Sequence, residues 1–238
     1  MNLPVNLSRT AGISILAAAL LISSAAPAQG IAPSLSIDEI ISKLNVANAE
    51  RAARLHEYRS TRVYENDYKG FGGDRHAKMT VEVNYRDGSK AFKILSEGGS
   101  GLLLKHVLHK LLESEMEANT EEQRRRTALN NENYSFTLLG IEVTDGRNCY
   151  VVEVKPRRKE KFLYDGRVWI DAQEFAVVRI VAKPAKNPSF WITKVDIEHR
   201  YTNHAGIWLP ASNRSESRVR FGGHALLTID YGKYDLLE

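Results

Sequence analysis

The chain contains one cysteine in 238 residues, which excludes an internal disulfide. Cys149 lies in the apolar run Cys149-Tyr-Val-Val, so we expect a buried small side chain there and not a catalytic thiol. The charged residues are close to balanced, with 33 Lys and Arg against 29 Asp and Glu and a net charge of +4. Nucleic-acid-binding proteins concentrate basic charge on one face, so we expect no nucleic-acid partner.

The sequence also lacks the motifs of common enzyme classes. It has no Gly-x-Ser-x-Gly nucleophile elbow. The stretch Gly98-Gly-Ser-Gly101 lacks the lysine and the hydroxyl residue of a phosphate-binding loop, so we interpret it as a hinge and not as an anion site. No pair of carboxylates is marked as catalytic by its spacing. The motifs therefore mark no reaction, and we expect no cofactor.

The N-terminal segment has the pattern of a secretory signal peptide. Arg9 is the only charged residue before Asp38, and a mostly apolar stretch of ten residues, 13–22, follows it. The segment ends on Ala26-Pro-Ala28, which fits a cleavage site. A spanning helix needs about 20 apolar residues, so an uncleaved anchor is the weaker alternative. We expect residues 1–28 to be removed near Ala28, export to the periplasm, and a single mature domain over residues 29–238.

One helix is predicted over residues 37–55. Ser36 and Glu39 have the spacing of a capping box, in which each side chain pairs with the backbone of the other residue. Apolar residues then recur at helical spacing, at Ile37, Ile41, Leu44 and Leu55. This pattern is typical of an amphipathic helix that packs one face against the rest of the protein.

From residue 58 onward the pattern becomes that of β-strands. Residues 78–85 alternate apolar and polar side chains, Asp87-Gly88 is a hairpin signal, and residues 91–95 form the return strand. A helical insert is predicted over about 99–130. The short connections that follow permit only antiparallel neighbours. Strands are predicted at 58–68, 134–144, 148–155, 161–164 with 168–171, 175–183, 190–201, 207–221 and 225–234, and Asp165-Gly166 is one of the predicted turns.

These elements predict a mainly β (α+β) fold. A single antiparallel sheet of about ten strands tends to curl, and the helix and the insert are the available cover for its apolar face. We expect a strongly curved antiparallel sheet that forms a half-open barrel, with helices covering the concave face. A hollow that the helices leave unfilled would be an apolar cavity.

Apolar and aromatic side chains of the predicted strands and insert are the candidates for lining such a cavity. They are Met79, Val81, Val83, Phe92, Ile94, Phe136, Leu138, Trp169, Trp191, Leu104 and Leu108. The alternative is ordinary core packing, because aromatic side chains favour strands in any case. No metal ligand is assigned among them.

Two polar features of the sequence leave alternatives open. His106, His109 and Glu113 lie at i, i+3 and i+7 on one helix face, where they could hold zinc in an exported metal-dependent hydrolase, or could be ordinary side chains of an apolar helix. The basic clusters 124–126 and 157–161 could face an anionic membrane surface or simply be solvated.

The order of elements and several loose motifs resemble a known superfamily. The relevant segments are the helix 37–55, the strand Tyr58-Arg-Ser-Thr-Arg-Val-Tyr64, the segments 162–171 and 175–180, and the stretch from Tyr201 to Pro210. Over most of residues 36–236 the chain resembles the LolA-like superfamily of periplasmic lipoprotein carriers, which includes outer-membrane lipoprotein-sorting proteins and the lipid-binding domain of envelope-stress regulators. Its helical insert is larger than that of the compact carriers.

The resemblance implies a function as well as a fold. It implies a half-open barrel with a helical lid over a hydrophobic hollow for acyl chains. Such a protein carries lipids or lipoproteins or senses them in the envelope, and it is not an enzyme. The implied partners are acyl chains of lipoproteins or lipids and an inner- or outer-membrane protein, and we expect a monomer. An arginine on an early strand latches the lid in the carriers, and Arg62 is the match here, with Arg59 as the alternative.

Overall fold

A computed structural model describes residues 35–220 and 222–237, so the predicted signal peptide lies outside the described residues. The helices are α1 (Ile37–Arg54), α2 (Gly101–Leu103), α3 (His109–Ala118) and α4 (Glu121–Thr127), and a π-helical segment (Leu104–Leu108) joins α2 to α3. The strands are β1 (Glu57–Gly70), β2 (Arg75–Arg86), β3 (Ser89–Gly99), β4 (Tyr134–Thr144), β5 (Arg147–Pro156), β6 (Tyr164–Asp171), β7 (Val177–Pro184), β8 (Ile192–His204), β9 (Ile207–Val219), β10 (Gly223–Asp230) and β11 (Tyr234–Leu237).

Helix α1 begins where the capping box predicts. The Ser36 backbone N–H donates to Glu39 Oε2 at 2.8 Å, and the Glu39 backbone N–H donates to Ser36 Oγ at 3.3 Å. Ile40, Ile41 and Leu44 are buried, so the first half of the helix packs against the sheet. The helix ends one residue before the predicted position.

The strands form one antiparallel sheet, in the order β3-β2-β1-β10-β9-β8-β7-β6-β5-β4. Strand β1 is long enough to pair with β11 through its first residues and with β10 through its last. Strands β3 and β4 are the two edges, and no ladder joins them in the described part of the chain. The predicted mainly β, half-open barrel with an antiparallel sheet and covering helices is confirmed.

The conformations of two hairpin turns follow directly from their residues. Asp87-Gly88 joins β2 to β3 with φ angles of 44° and 88°, and Asp145-Gly146 joins β4 to β5 with 50° and 76°. Two successive positive φ angles are those of a type I′ turn, which matches the twist of a hairpin.

The C-terminal strands correct the prediction. Asp165-Gly166 is not a turn, because both residues lie inside β6, where Gly166 pairs with Ala182. A Cβ on Gly166 would lie 2.5 Å from the Ala182 Cα, so the glycine permits a close approach of two strands. The predicted strand 161–164 is a turn up to Leu163, and the predicted last strand divides into β10 and β11.

One row of paired residues runs across nearly the whole sheet and defines its inner face. Residues directly opposite each other in an antiparallel ladder share a face. The row is Met79, Tyr64, Ile229, Asn213, His199, Ile180, Val168, Val152 and Leu138. Its β1–β2 end packs under buried leucines of the insert, and its β5–β7 end packs under α1, so both helical parts lie on the inner face.

The insert, residues 100–133, crosses the inner face from one edge of the sheet to the other. The chain leaves the sheet at the end of β3 and re-enters it at β4, and these are the two edge strands. On the far side, Arg126 pairs with Glu160 at 2.5 Å, and Lys161 pairs with Glu117 at 2.5 Å. Arg126 of the first basic cluster and Lys161 of the second therefore join the insert to the β5–β6 turn, whereas Arg124 donates to the Gly88 carbonyl in the β2–β3 turn.

Candidate functional site

The inner face carries a pocket of about 420 Å³ between the second half of α1, the end of the insert and strands β6 to β9. This volume lies in the usual range for small-molecule sites. Helix α1 contributes Asn48, Arg51 and Ala52, followed by Leu55. The insert contributes Thr127 and Leu129, and the strands and the turns between them contribute Tyr164, Val177, Ile180, Tyr201, Ile207 and Trp208.

The pocket exists because α1 stops supplying large apolar side chains after Leu44. The next positions on its apolar stripe are Asn48 and Arg51, and Ala52 is too small to fill the gap. Val46 points away from the sheet and is 56% exposed. The first half of α1 therefore packs tightly on the sheet, while its second half leaves an open space over Ile180 and its neighbours.

Arg51 is a buried cation in the wall of this pocket, 9% exposed. Its guanidinium donates to the backbone oxygens of Glu174 and Phe175, at 3.0 and 2.9 Å, and to Asn48 Oδ1 at 2.8 Å. In residues 35–220 and 222–237 no carboxylate oxygen lies within 4.0 Å of it. Burial lowers the pKa of Arg51, and the nearby charge of Glu174 offsets part of this shift.

Trp208 lines one end of the pocket, also packs against the outer-face cluster around Trp169, and is held in place from the β6–β7 turn. The Trp208 indole N–H donates to Glu174 Oε2 at 2.7 Å, and Asn203 donates to the same oxygen at 2.8 Å. Arg147 pairs with the other Glu174 oxygen at 2.9 Å and lies over the Trp208 ring. Burial raises the pKa of the Tyr201 phenol to about 12, so this hydroxyl is neutral at physiological pH.

Four of the predicted cavity residues lie instead at the contact between the insert and the sheet, in a part of the inner face that is filled. Met79, Val81, Val83 and Leu108 are fully buried. They belong to one apolar cluster with Leu103 and Leu112 of the insert, and Phe92 and Leu104 pack against that cluster. None of these side chains lines the 420 Å³ pocket.

The remaining predicted cavity residues do not come together. Phe136 and Leu138 pack at the side of the α1 cluster, whereas Ile94 is 41% exposed on edge strand β3. Trp169 lies on the outer face, because Val168 and Ile170 on either side of it point inward. Trp191 is 58% exposed at the start of β8. The structure thus distributes the predicted set over both faces and one end of the sheet.

Arg62 meets the insert at Glu115 of α3. Its Nη1 lies 2.7 Å from Glu115 Oε2, and the Tyr64 hydroxyl donates to the other carboxylate oxygen at 2.9 Å. The guanidinium is almost fully buried and lies 4.7 Å from the centre of the Tyr231 ring. The contact joins β1 to the insert, which is where a latch residue would act. Arg59 pairs with Asn84 on the sheet instead.

His106, His109 and Glu113 are not gathered into a metal site. The His109 backbone N–H donates to the Leu104 carbonyl five residues back, so the π-helical segment changes the helical spacing on which the alternative depended. His109 pairs with Glu97, and Glu113 with Lys110. Among the described residues, no three His, Cys, Asp or Glu side chains lie close enough together to hold a metal ion.

Sequence reasoning missed the pocket, although one signal for it was present. Arg51 follows Leu44 at i+7, so a cation occupies the apolar stripe of a predicted amphipathic helix. The helical periodicity predicts that this position is buried, and a buried cation is paired with another group of the protein or with a ligand. The other pocket residues carry no comparable signal, because they come from segments far apart in the chain.

Comparison with known proteins gives a partial family match. The profile of DUF5686, a family of unknown function, matches residues 127–231, from the last residue of α4 to the residue after β10. This range includes the eight pocket residues that the insert and the sheet contribute. No curated protein matches the chain. In the described residues, no helix has the length and apolarity of a membrane span.

Solved structures give a similarity of fold. A DUF1329 family protein from Desulfovibrio piger is 15% identical, with 84% of this chain and 95% of that one covered and a TM-score of 0.40. A LolA superfamily protein from Nitrosomonas europaea is 11% identical, with 86% and 95% covered and a TM-score of 0.37. An outer-membrane lipoprotein-sorting domain from Vibrio parahaemolyticus is 14% identical, with 83% and 95% covered and a TM-score of 0.37. These structures include a LolA superfamily protein and a lipoprotein-sorting domain, which belong to the group of proteins that the sequence resembles.

Proposed function

We propose that this chain is an exported binding protein for acidic amphiphiles, whose acyl chain it holds in the pocket between α1 and the insert. The observation that carries the proposal is an apolar pocket of about 420 Å³ with one buried cation, Arg51, in its wall. The predicted signal peptide supports a periplasmic location. The proposed role is binding, as a monomeric carrier or sensor that works with an inner- or outer-membrane protein, and not catalysis.

The apolar walls account for the tail. Leu55, Ile180 and Ile207 line the pocket together with Trp208, and the first three offer hydrocarbon only. Burying each methylene of an acyl chain against such walls contributes about 0.8 kcal/mol. Micromolar binding corresponds to about 8 kcal/mol, and association itself costs at least about 4 kcal/mol. About 15 buried methylenes are therefore needed, which is the length of a long acyl chain.

The buried guanidinium of Arg51 is the reason for proposing a ligand with an acidic head group. Arg51 is held by two backbone oxygens and one amide oxygen, which orient it but do not neutralise it. A carboxylate that enters the pocket would form the charge-assisted contact that Arg51 lacks among the described residues. The chemistry favours a single-chain acid, such as a fatty acid or an acylated fragment, over a neutral lipid.

Adjacent alanines on α1 provide a matched test of the pocket. Ala52 lines the pocket, whereas Ala53 does not. In Ala52→Trp the indole should occupy the space of two or three methylenes and weaken binding of cis-parinaric acid by about tenfold or more. Ala53→Trp should bind like wild type in the same fluorescence titration. Equal affinities of the two variants would place the ligand elsewhere and overturn the pocket assignment.

Two arginines in the last turn of α1 provide a matched test of the head group. Arg51→Met should weaken cis-parinaric acid binding by about tenfold, the effect of losing one charge-assisted contact, while binding of the methyl ester changes little. Arg54 is exposed and donates only to the Gly206 carbonyl, so Arg54→Met is the control. An equal loss for acid and ester would contradict the role of Arg51 in recognising an acid.

A further inference from the structure

One end of the sheet differs from the other in charge. Strands β2 and β1, β10 and β9, and β8 and β7 are neighbours, so the turns that join each pair lie side by side at this end. We name the surface formed by residues 69–75, 183–194, 218–220 and 222–224 the basic rim. It carries seven Lys and Arg residues and one acidic residue, Asp74; the basic ones are Lys69, Arg75, Lys183, Lys186, Lys194, Arg218 and Arg220.

The turns at the opposite end show the reverse balance. The segments 86–89, 144–147, 171–176 and 203–206 carry two basic residues, Arg86 and Arg147, and four acidic ones: Asp87, Asp145, Asp171 and Glu174. The charge of the chain is nearly balanced overall but is separated along the strand direction. The separation gives the molecule an electrostatic orientation towards an anionic surface.

Most of the cations of the basic rim have no carboxylate partner. Lys194 pairs with Asp196, and the acidic residues one step further from the end, Asp67 and Glu216, already pair with His76 and Arg214. Within the described residues, the other six basic side chains of the rim form no salt bridge. These charges are available to a partner.

The basic rim also holds every aromatic side chain that is largely exposed in the described part of the chain. These are Phe71 at 88%, Phe190 at 68% and Trp191 at 58%. Phe71 lies in the β1–β2 turn, and Phe190 and Trp191 lie in the β7–β8 turn, so they flank the β9–β10 turn on both sides. Arg220 lies 4.2 Å from the centre of the Phe190 ring, which brings a cation and an aromatic ring together at the surface.

We infer that the basic rim is a docking surface for an anionic phospholipid membrane. Exposed Phe and Trp side chains at turn tips insert at the level of the lipid head groups, and Lys and Arg beside them contact the lipid phosphates. In this orientation the strands stand on the membrane, and the turns with acidic residues point away from it. The inference is independent of the ligand pocket, which lies on the inner face of the sheet.

A single-stranded nucleic acid is the other polyanion that combines with aromatic and basic side chains. The geometry favours the membrane because the three aromatic side chains lie at turn tips on either side of the rim and do not line a groove. Phe190 is already covered on one side by Arg220, which leaves less of its face for a base. A labelled oligonucleotide is therefore included in the test.

The aromatic part of the inference is tested by co-sedimentation with vesicles of phosphatidylcholine, with and without phosphatidylglycerol. Wild-type protein should bind the anionic vesicles, and the triple variant Phe71→Ser, Phe190→Ser, Trp191→Ser should bind about tenfold more weakly, since insertion of aromatic rings supplies part of the affinity. Ile141→Ser with Val143→Ser removes exposed apolar side chains of edge strand β4 and should change nothing. All proteins carry the same N-terminus, so its contribution is common to them.

The charged part is tested by reversal of two unpaired cations. Lys186→Glu with Arg218→Glu should reduce binding to anionic vesicles by about tenfold, and rising salt should weaken wild-type binding. Lys93→Glu with Lys233→Glu makes the same change of charge away from the rim and should bind like wild type. Equal binding of both charge variants, or binding of the oligonucleotide but not of vesicles, would overturn the inference. Ala52→Trp should still bind vesicles, which separates a failure here from a failure of the pocket.

Discussion

The insert and α1 cover the same face of the sheet, but they cover it to different degrees. Over β1 and β2 the insert supplies Leu103, Leu108 and Leu112, and the wall beneath them is fully buried. Over β6 to β9 the second half of α1 supplies Asn48, Arg51 and Ala52, and a pocket of about 420 Å³ remains. The half of the inner face under the insert is filled, whereas the half under α1 is filled beneath the first part of that helix and keeps a pocket beneath the second.

The difference shows how one part of a curved sheet can contribute to the stability of the protein while another part serves ligand binding. A filled half gains the transfer free energy and the dispersion contacts of close packing. An unfilled half forgoes part of that stabilisation and keeps apolar wall for a ligand. Residues of the filled half should therefore affect folding more than binding, and residues of the pocket should affect binding more than folding.

The largest expected effect is on the pair that joins the two layers of the filled half. Glu115→Gln leaves the buried Arg62 guanidinium without its carboxylate and should lower the free energy of unfolding by about 3 to 4 kcal/mol, measured by urea denaturation. Glu113→Gln on the same helix breaks only an exposed pair with Lys110 and should cost less than about 1 kcal/mol. Similar losses for the two variants would mean that Arg62 and Glu115 do not hold the insert.

A pair of alanine substitutions compares the two halves directly. Leu108 of the insert is fully buried against the sheet, and Leu108→Ala should cost about 3 kcal/mol through lost burial and a residual cavity. Ile207→Ala, in the wall of the pocket, should cost about 1 kcal/mol because no full burial is lost there. Ligand affinity should show the reverse order, with a loss for Ile207→Ala only. A larger loss of affinity for Leu108→Ala would place the ligand under the insert.

Local signals explain why much of the fold could be predicted. The capping box at Ser36 and Glu39 and the turn Asp87-Gly88 need only neighbouring residues, and both formed as predicted. Asp165-Gly166 has the same appearance as a turn, but there the glycine serves a close approach to Ala182 on another strand. A requirement that comes from a distant strand is not visible in the local sequence.

The sequence could predict an apolar cavity on the inner face but not its position, because the position depends on where the helices leave space unfilled. Alternation predicts that Val168 and Trp169 point to opposite faces, but only the packing of α1 decides that Val168 points inward. Val81 and Val83 were good candidates for an apolar wall, and the insert fills the space over them. Arg51 was the one pocket residue with a signal in the sequence, because it is a charged residue on the apolar stripe of α1.

Asn213 and His199 are the polar pair between the two halves of the inner face, and His199 should make the stability of the fold sensitive to acid. Burial lowers the pKa of His199 to about 4, against 6.5 for the free side chain, and Asn213 donates an amide N–H to its ring at 2.8 Å. The unfolded chain takes up a proton below pH 6.5 while the folded chain does not, so stability should fall as the pH drops from about 6.5 towards 4, by about 2 kcal/mol. His199→Gln should remove this part of the pH dependence. An unchanged profile would mean that His199 is accessible to protons in the folded state.

The smallest expected effect concerns a lysine of the filled half, and here the substitution should raise the stability of the protein. Lys90 lies on the inner face near Arg62, and burial, with a smaller contribution from that arginine, lowers its pKa from 10.5 to about 8. Below pH 8 Lys90 is charged in both the folded and the unfolded chain, and burial of this charge lowers the stability of the folded state. Between about pH 8 and 10.5 only the unfolded chain still binds the proton, so this destabilisation disappears as the pH rises. Lys90→Met should therefore stabilise the protein at neutral pH, and the gain should vanish near pH 10.5. The expected gain is only about 1 kcal/mol because Lys90 is partly exposed and its long stem lets the ammonium recover part of its hydration. Lys93→Met, at an exposed position of the same strand, should give no gain at either pH in the same denaturation series, and a pH-independent gain for Lys90→Met would show that packing and not charge is responsible.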